Sequence, residues 1–328
     1  MDQLPVAVAS PGRKTSGLRG MAGLAPWSRM SPLARREARQ GLLFISPWII
    51  GFVAFTALPM IATFIFTFLN ITLRQDEPLQ FVGLENYATL GRDPQVWSSL
   101  AVTFKFAAVW LPISIIVPFG VALGLNSRYL RGAGAMRTLF FAPYVVPFVA
   151  GCLIWNQMLG AGGWFNEGLK ILGWSNPPDW LYDETWIYPG FALMALWGIG
   201  AGIIINLAGL RGIPTELYEA ARIDGAGAWK QLRHVTIPMM SPVLFYSLIL
   251  GVVEVLQYFL VPLVLKNGTG EPGGSTMFFN LNIFQTFFTF QEMSYGATMA
   301  WLLFVITLVV TVVLFRLSRR FVFYAGER

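Results

Sequence analysis

Glu219-Ala220-Ala221-Arg222-Ile223-Asp224-Gly225, running on through Ala226 to Ile237-Pro238, is a polar, helix-forming stretch between two strongly apolar segments. Its setting gives it meaning. Of the 328 residues, 55% are hydrophobic and 12% are charged, against roughly 25% charged in a soluble protein. Several runs exceed the roughly 18 nearly uncharged residues that mark a membrane-crossing helix. The chain is a polytopic membrane protein, and a conspicuous polar loop in such a protein is a candidate docking surface.

Working outward, apolar segments are predicted at 42–70, 99–126, 138–159, 187–210, 241–265 and 295–317. Each is long enough to cross about 30 Å of hydrocarbon at about 1.5 Å per residue. The expected fold is all-α and integral to the membrane, with six transmembrane helices and a loop at 211–240 between the fourth and fifth. Residues 1–41 form a basic N-terminal tail. Its first thirty residues are rich in Gly, Ser, Pro, Ala and Arg and are expected to be largely disordered. Ser31-Pro32 reads as an N-cap followed by proline at the first helical position. The first apolar run begins near residue 42 and is too long for a secretory h-region, so no signal peptide is expected.

Lys and Arg alternate by loop. Arg13, Lys14, Arg19, Arg29, Arg35, Arg36 and Arg39 precede the first segment, and Arg128, Arg131 and Arg137 follow the second. Arg211, Arg222, Lys230 and Arg233 lie in the 211–240 loop, and Arg316, Arg319, Arg320 and Arg328 at the C-terminal end. The positive-inside rule places both termini and that loop in the cytoplasm, with Arg35, Arg36 and Arg39 among anionic lipid headgroups. The net charge of +6 is thus a topology signal, not a nucleic-acid footprint. Lys105 is expected to snorkel to the outer interface. Trp164, Trp174, Trp180, Trp186 and Tyr188 suit an interfacial belt there. Gly120 with Gly124 and Gly198 with Gly202 are spaced for close helix–helix approach.

Catalytic chemistry has no candidate. The sequence contains no G-x-x-x-x-G-K-[ST] phosphate loop, no H-E-x-x-H and no G-x-S-x-G. His234 is the only histidine, and Cys152, in an apolar run, is the only cysteine, so neither a metal site nor a disulfide is expected. Glu254 is the main acidic residue within a predicted span. An ionisable group at membrane depth is expensive and faces a bundle interior or a watery path. Gln257 and Tyr258, at i+3 and i+4, are read with it as a polar stripe along a solute pathway, or else as an interhelical contact.

The loop reads as helix–turn–helix. Pro214 starts a helix, and Glu216 and Glu219 complement its dipole. Ala220 and Ala221 add propensity with little bulk. Gly225 supplies a left-handed residue at the helix end. A second helix carries Trp229, Leu232 and Arg233, and Pro238 and Pro242 bracket the next span. Glu219-Ala220-Ala221, three residues, Gly225, nine residues, then Val235-Thr236-Ile237-Pro238 resembles the E-A-A…G…I-x-L-P signature of binding-protein-dependent ABC importer permeases. Val235 stands for Ile and Ile237 for Leu. Ser46-Pro47 with Leu58-Pro59, Tyr295-Gly296-Ala297 through Met299-Ala300-Trp301, and Arg319-Arg320-Phe321-Val322 with Tyr324 and Gly326-Glu327 are similar to the carbohydrate-uptake branch, of maltose- or glycerol-phosphate-permease type. Asn267 through Gly274 departs from that branch's usual glycine-rich turn.

The resemblance implies a type I importer permease in a bacterial or archaeal inner membrane. Expected partners are a second permease chain, two ATPase subunits and an extracytoplasmic solute-binding protein, besides membrane lipid. ATP and Mg belong to the ATPase subunits, and this chain carries no cofactor. Glu219, Ala220, Ala221, Asp224, Gly225 and Pro238 are the expected coupling residues. The solute is a sugar or its oligomer, with glycerol 3-phosphate and polyols as alternatives. An ion-coupled secondary transporter would call for paired intramembrane acids and inverted repeats, of which Glu254 alone is present.

Overall fold

The computed structural model describes residues 31–74, 78–127, 130 and 132–323. Arg13, Lys14, Arg19, Arg29, Arg128, Arg131, Tyr324, Gly326, Glu327 and Arg328 lie outside the described residues, as does the tail at 1–30. The chain divides into two compact units, Met1–Met60 and Ile61–Arg328.

In the first unit, α1 (Pro32–Phe52) starts as its sequence dictates: Ser31 Oγ accepts the Ala34 N–H at 3.2 Å, and Pro32 occupies the first helical position. Residues 32–41 of the predicted tail are therefore helical. A π-turn at Val53–Ala57 leads into α2 (Leu58–Phe66). The π-turn has a local cause in Pro59, whose ring would clash with the carbonyl four residues back in a regular α-helix. No residue of α1 is buried, which leaves its apolar side chains for lipid or another chain.

The second unit continues with α3 (Glu85–Arg92), α4 (Pro94–Leu125), α5 (Ala133–Phe141), α6 (Phe148–Leu159), α7 (Trp164–Ile171), α8 (Ile187–Leu196) and α9 (Gly200–Arg211). There follow α10 (Thr215–Ile223), α11 (Ala228–Gln231), α12 (Ile237–Leu256), α13 (Leu260–Lys266), α14 (Phe279–Phe284) and α15 (Met293–Phe321). Among the described residues there is no β-sheet, only an isolated antiparallel bridge between Leu69 and Phe81.

Among the described residues, four helical runs are long and apolar enough to cross a membrane: Pro32–Phe66, Pro94–Leu125, Ala228–Lys266 and Met293–Phe321. A fifth exists if α8 and α9, which meet at a 61° bend, form one span. The third predicted segment, 138–159, is not one helix. It breaks into α5, a 3-10 turn at Ala142–Val145 and α6. Pro143 and Pro147 explain the break, since each lacks an N–H and disfavours helix in the residue before it.

α4 is the central post of this unit. Phe106 and Trp110 are buried on it and join a core with Phe191, Leu256, Phe278 and Met299. Thr103 Oγ1 accepts the Phe279 N–H at 2.9 Å, tying α4 to α14. A second cluster, Ala122, Leu125, Ile203, Leu207, Leu210, Ile213 and Met240, packs the far half of α4 against α9 and the start of α12. The ends of α15 are pinned as well. Tyr295 OH donates to Asp93 Oδ2 at 2.7 Å, and Ser241 Oγ accepts the Phe323 N–H at 2.9 Å. The second bond puts the C-terminal end of α15 on the same side as the loop that precedes α12.

Small residues work at other positions than their sequence spacing foretells. A Cβ on Gly120 or Gly124 would meet nothing within 4 Å, and one on Gly198 only its own turn. Gly202 does face α4, where a Cβ would lie 3.3 Å from Pro118 Cβ. Close helix–helix approaches occur at Gly200, against the Phe140 carbonyl at 2.6 Å, and at Gly209, against Val243 Cγ2 at 2.9 Å. The belt is also mostly internal. Trp174, Trp180 and Trp186 stack edge-on with centroids 5.1–6.4 Å apart, and Trp180 Nε1–H donates to Asn166 Oδ1 at 2.7 Å. Tyr188 packs beside Phe106. Trp164, 83% exposed, and Trp174, 42% exposed, are left to face an interface.

Candidate functional site

The polar loop folds around a single helix. Ile213, buried in the second cluster, anchors its base. Pro214 sits at the N-cap of α10 with ψ 133, and Glu216 lies in the first turn among unpaired N–H groups. At the other end Gly225 has φ 74, the left-handed conformation its sequence position demanded. The Ala226 N–H donates to the Ala221 carbonyl at 2.8 Å and the Gly225 N–H to the Arg222 carbonyl at 3.1 Å. Those 6→1 and 5→2 bonds make a Schellman cap. A Cβ on Gly225 would meet nothing within 4 Å, so the glycine answers a backbone requirement and not a shortage of space.

Glu219, Ala220, Asp224 and Gly225 are exposed and Ala221 is half-buried, gathered on α10 and its cap. Two large apolar side chains flank them, Ile223 at 87% exposure and Trp229 at 70%. Exposed apolar groups in a polar loop mark a contact surface. Neither was singled out from sequence as a contact, although Ile223 sits inside the quoted motif. Pro238 is placed differently. It is half-buried at the first turn of α12, one residue after a π-turn at Leu232–Thr236 ends at Ile237. The predicted second helix of the loop is thus the leading end of the run that becomes α12.

The loop is cross-braced. Tyr218 OH lies 3.0 Å from Thr236 Oγ1, Thr236 Oγ1 donates to the Gln231 carbonyl at 3.4 Å, and Gln231 Nε2 donates to the Ala226 carbonyl at 2.8 Å. Arg222 Nε–H caps the Tyr218 carbonyl at 3.2 Å.

α12 also forms a wall of a cavity of about 520 Å³. The other walls come from α4, α6, α8, α9 and the start of α13, and its aromatic lining is Trp110, Phe148, Trp155, Trp197 and Tyr258. The break between α8 and α9 lies at this wall, with Trp197, Gly198 and Ile199 all in the lining. Irregular backbone at membrane depth is tolerated where it borders a cavity, so the bend is part of the site. Polar groups are few: Glu254, Asn206, Ser114 and Ser247. Among the described residues, no Lys, Arg or His lines the cavity.

The predicted stripe comes apart. α12 ends at Leu256, Gln257 caps it, and Phe259 has φ −158, so the i+3 and i+4 positions do not continue the face of Glu254. Glu254 and Tyr258 line the cavity, and Gln257 does not. The Gln257 carbonyl instead accepts the Asn280 side-chain amide at 2.8 Å. Tyr258 is held edge-to-face against Phe278 and tilted against Phe106 and Phe191. Tyr258 OH and Asn206 Oδ1 are buried without a hydrogen-bond partner among the described residues. Such atoms lose the full cost of desolvation unless something bonds to them. No group of His, Cys, Asp and Glu able to hold a metal ion occurs among the described residues.

Residues 116–323 match the family model described as binding-protein-dependent transport system inner membrane component. The chain is similar to the trehalose/maltose transport system permease protein of Thermococcus litoralis, 34% identical over 88% of this chain and 97% of the relative. It is 31% identical to the lactose transport system permease protein of Rhizobium radiobacter, over 90% of this chain and 99% of the relative. The arabinooligosaccharides permease protein of Bacillus subtilis is 31% identical over 85% of this chain and 88% of its own length. In fold, the chain is similar to one in the crystal structure of a bacterial ABC transporter that imports the polysaccharide alginate. The TM-score is 0.71 at 21% identity, over 88% of this chain and 99% of that one.

Proposed function

We propose, from the premise that this chain belongs to the family of binding-protein-dependent transport system inner membrane components, that it forms half of the pore through which a neutral sugar or short oligosaccharide is imported. It is a transport subunit, not an enzyme. The observation that carries the proposal is the exposed, Schellman-capped α10, whose residues hold the importer-permease spacing and whose bracing reaches the cavity-lining helix α12.

The mechanism follows from the parts. Two cytoplasmic ATPase subunits each receive one docking loop, from this chain and from a second permease. Glu219 and Gly225 make the docking contact, Ala220 and Ala221 let the surfaces approach, and Ile223 and Trp229 bury apolar area against the cleft. ATP binding draws the ATPases together and moves the loops. That movement biases a bundle with two arrangements, opening the cavity outward to a solute-loaded binding protein, and hydrolysis resets it. Both termini are cytoplasmic and the full chain makes six crossings in this scheme, with α5 and α6 sharing one of them.

The solute class is supported by the cavity. Five aromatic side chains and a few hydrogen-bonding groups, Glu254, Asn206, Ser114 and Ser247, suit the faces and hydroxyls of a sugar. A phosphorylated solute would call for a cation, and none lines the walls among the described residues. Sugar transport by relatives such as the trehalose/maltose and lactose permease proteins supports the same class. The test is to tag this chain, isolate the assembly from its host, and measure thermal shifts of the binding protein that partners it. Maltose, trehalose, lactose, an arabino-oligosaccharide and glycerol 3-phosphate are the probes. A shift with a sugar and none with glycerol 3-phosphate is expected, and the reverse pattern overturns the solute class. Isolation without any ATPase subunit overturns the importer.

A further inference from the structure

We propose that Tyr218 and Thr236 are positioning residues, a strut that obliges α12 to follow the docking helix α10; the role rests on the importer reading above and assigns a coupling part to residues outside the docking contact. The geometry begins with one side-chain bond, Tyr218 OH to Thr236 Oγ1 at 3.0 Å, between residues 18 apart in sequence. Thr236 is only 4% exposed. Its hydroxyl also reaches the Gln231 carbonyl at 3.4 Å; either oxygen of the Tyr218–Thr236 pair can donate, and when the Thr236 proton is on Gln231 the phenol donates to Thr236. Gln231 passes the link on through its side-chain amide to the Ala226 carbonyl, one residue past the Gly225 cap.

The result is a closed circuit. α10, its cap, α11 and the π-turn become one block, and the residue that closes it stands immediately before α12. Take the strut away, and α10 is linked to α12 only by the packing of the Tyr218 ring on the cluster that holds Met240 and by the chain at 224–236. That path holds Gly225 and Gly227, the residues with the greatest backbone freedom. A push on α10 would then be absorbed in the turn. The tyrosine ring itself is fixed by packing against the cluster that contains Ile213 and Met240, so the hydroxyl is held in place and not merely near.

α12 in turn cannot move alone. A Cβ on Gly209 of α9 would lie 2.9 Å from Val243, and one on Gly251 of α12 would lie 3.2 Å from Leu111 of α4. Contacts this tight move as a unit, because packed interiors have little slack. A displacement delivered at Thr236 therefore reaches the helix walls that frame Glu254.

The chain supplies its own reporter. Cys152 is its only cysteine, lines the cavity and is 3% exposed. The assembly isolated through this chain is reacted with N-ethylmaleimide, with and without Mg-ATP and vanadate. Modification of Cys152 is read by mass spectrometry of this chain's peptide, and ATP hydrolysis is followed in parallel. The unsubstituted assembly is expected to change its Cys152 reaction rate on trapping. Tyr218→Phe and Thr236→Val, which keep shape and lose the bond, are expected to retain hydrolysis while that change shrinks about five-fold, the factor an ordinary hydrogen bond carries in an equilibrium. Thr236→Ser should restore it. The double variant should be no worse than either single one, since both remove the same bond. A trapping response equal to the unsubstituted protein's in both single variants overturns the strut. So does a fall of hydrolysis in step with the response, which would mean lost docking or folding. Failure of the importer reading shows separately, as an unsubstituted assembly without an ATPase.

Discussion

Gly225 offers the most exacting test of the docking loop, because its two possible requirements can be separated. Its φ of 74 is left-handed, while a Cβ there would meet nothing within 4 Å. In this chain alone, the cost of a side chain is therefore conformational only. An L-residue held in that region loses about 1–2 kcal/mol, more if β-branched, while Asn tolerates it best. At 1.4 kcal/mol per factor of ten, Gly225→Ala should lower the population of docking-competent loops about 5- to 30-fold. Retention of the ATPase subunit on the tagged, detergent-solubilised chain reads this as a shift in apparent Kd, with solute uptake alongside. The expected order is Gly, then Asn, then Ala, with Gly225→Val abolishing uptake while membrane insertion stays normal by immunoblot. Equal retention by Gly and Ala would refute the need for the cap. Asn as poor as Val would refute the conformational reasoning, and would mean that the cleft excludes any side chain at this point.

Other outcomes follow from the same geometry. Glu219 is exposed on α10, so Glu219→Lys should abolish uptake without harming insertion, and normal solute-stimulated ATP hydrolysis in that variant would contradict its docking role. Glu254 lines the cavity and Gln257 does not. Glu254→Ala should raise the uptake KM about 10- to 100-fold, as expected for a lost hydrogen bond to a charged group; Gln257→Ala should leave it unchanged, and equal effects would make the pair structural. Gly200→Ala places a Cβ 2.6 Å from the Phe140 carbonyl, whereas Gly124→Ala meets nothing. The first should cost about 1–3 kcal/mol and the second almost nothing, read from thermal melting of the solubilised chain.

Local backbone chemistry was legible in the residues. Ser31-Pro32 start a helix because a side-chain oxygen satisfies a free N–H and proline needs none. Gly225 ends one because only glycine enters the left-handed region freely. The helix and cap formed by Glu219 to Gly225 were readable for the same reason, since they rest on bonds within a few residues. Pro143 and Pro147 signalled a broken third segment as clearly, and the apolar composition of 138–159 masked it.

What was hidden depended on helix rotation and on distant partners. Gly120 and Gly124 have the spacing of a packing motif, yet a Cβ on either would meet nothing within 4 Å, while one on Gly209, with no such spacing signal, would lie 2.9 Å from Val243 Cγ2. Gln257 left the predicted stripe because α12 stops at Leu256 and the Tyr258 ring goes into an aromatic cluster with Phe106, Phe191 and Phe278. Those partners are up to about 150 residues away along the chain, beyond the reach of any local rule.

The sequence by itself determined that this chain lives in a membrane, that it is helical, and that its polar loop is a glycine-capped helix with the importer-permease spacing. Each of these rests on composition or on interactions within a few residues, where burial and backbone bonding leave little choice. Only the tertiary structure decided which polar groups meet in the cavity, which glycines set helix spacing, and that Tyr218 reaches Thr236. Such pairings are chosen by how helices pack side by side, and packing is a property of several segments at once.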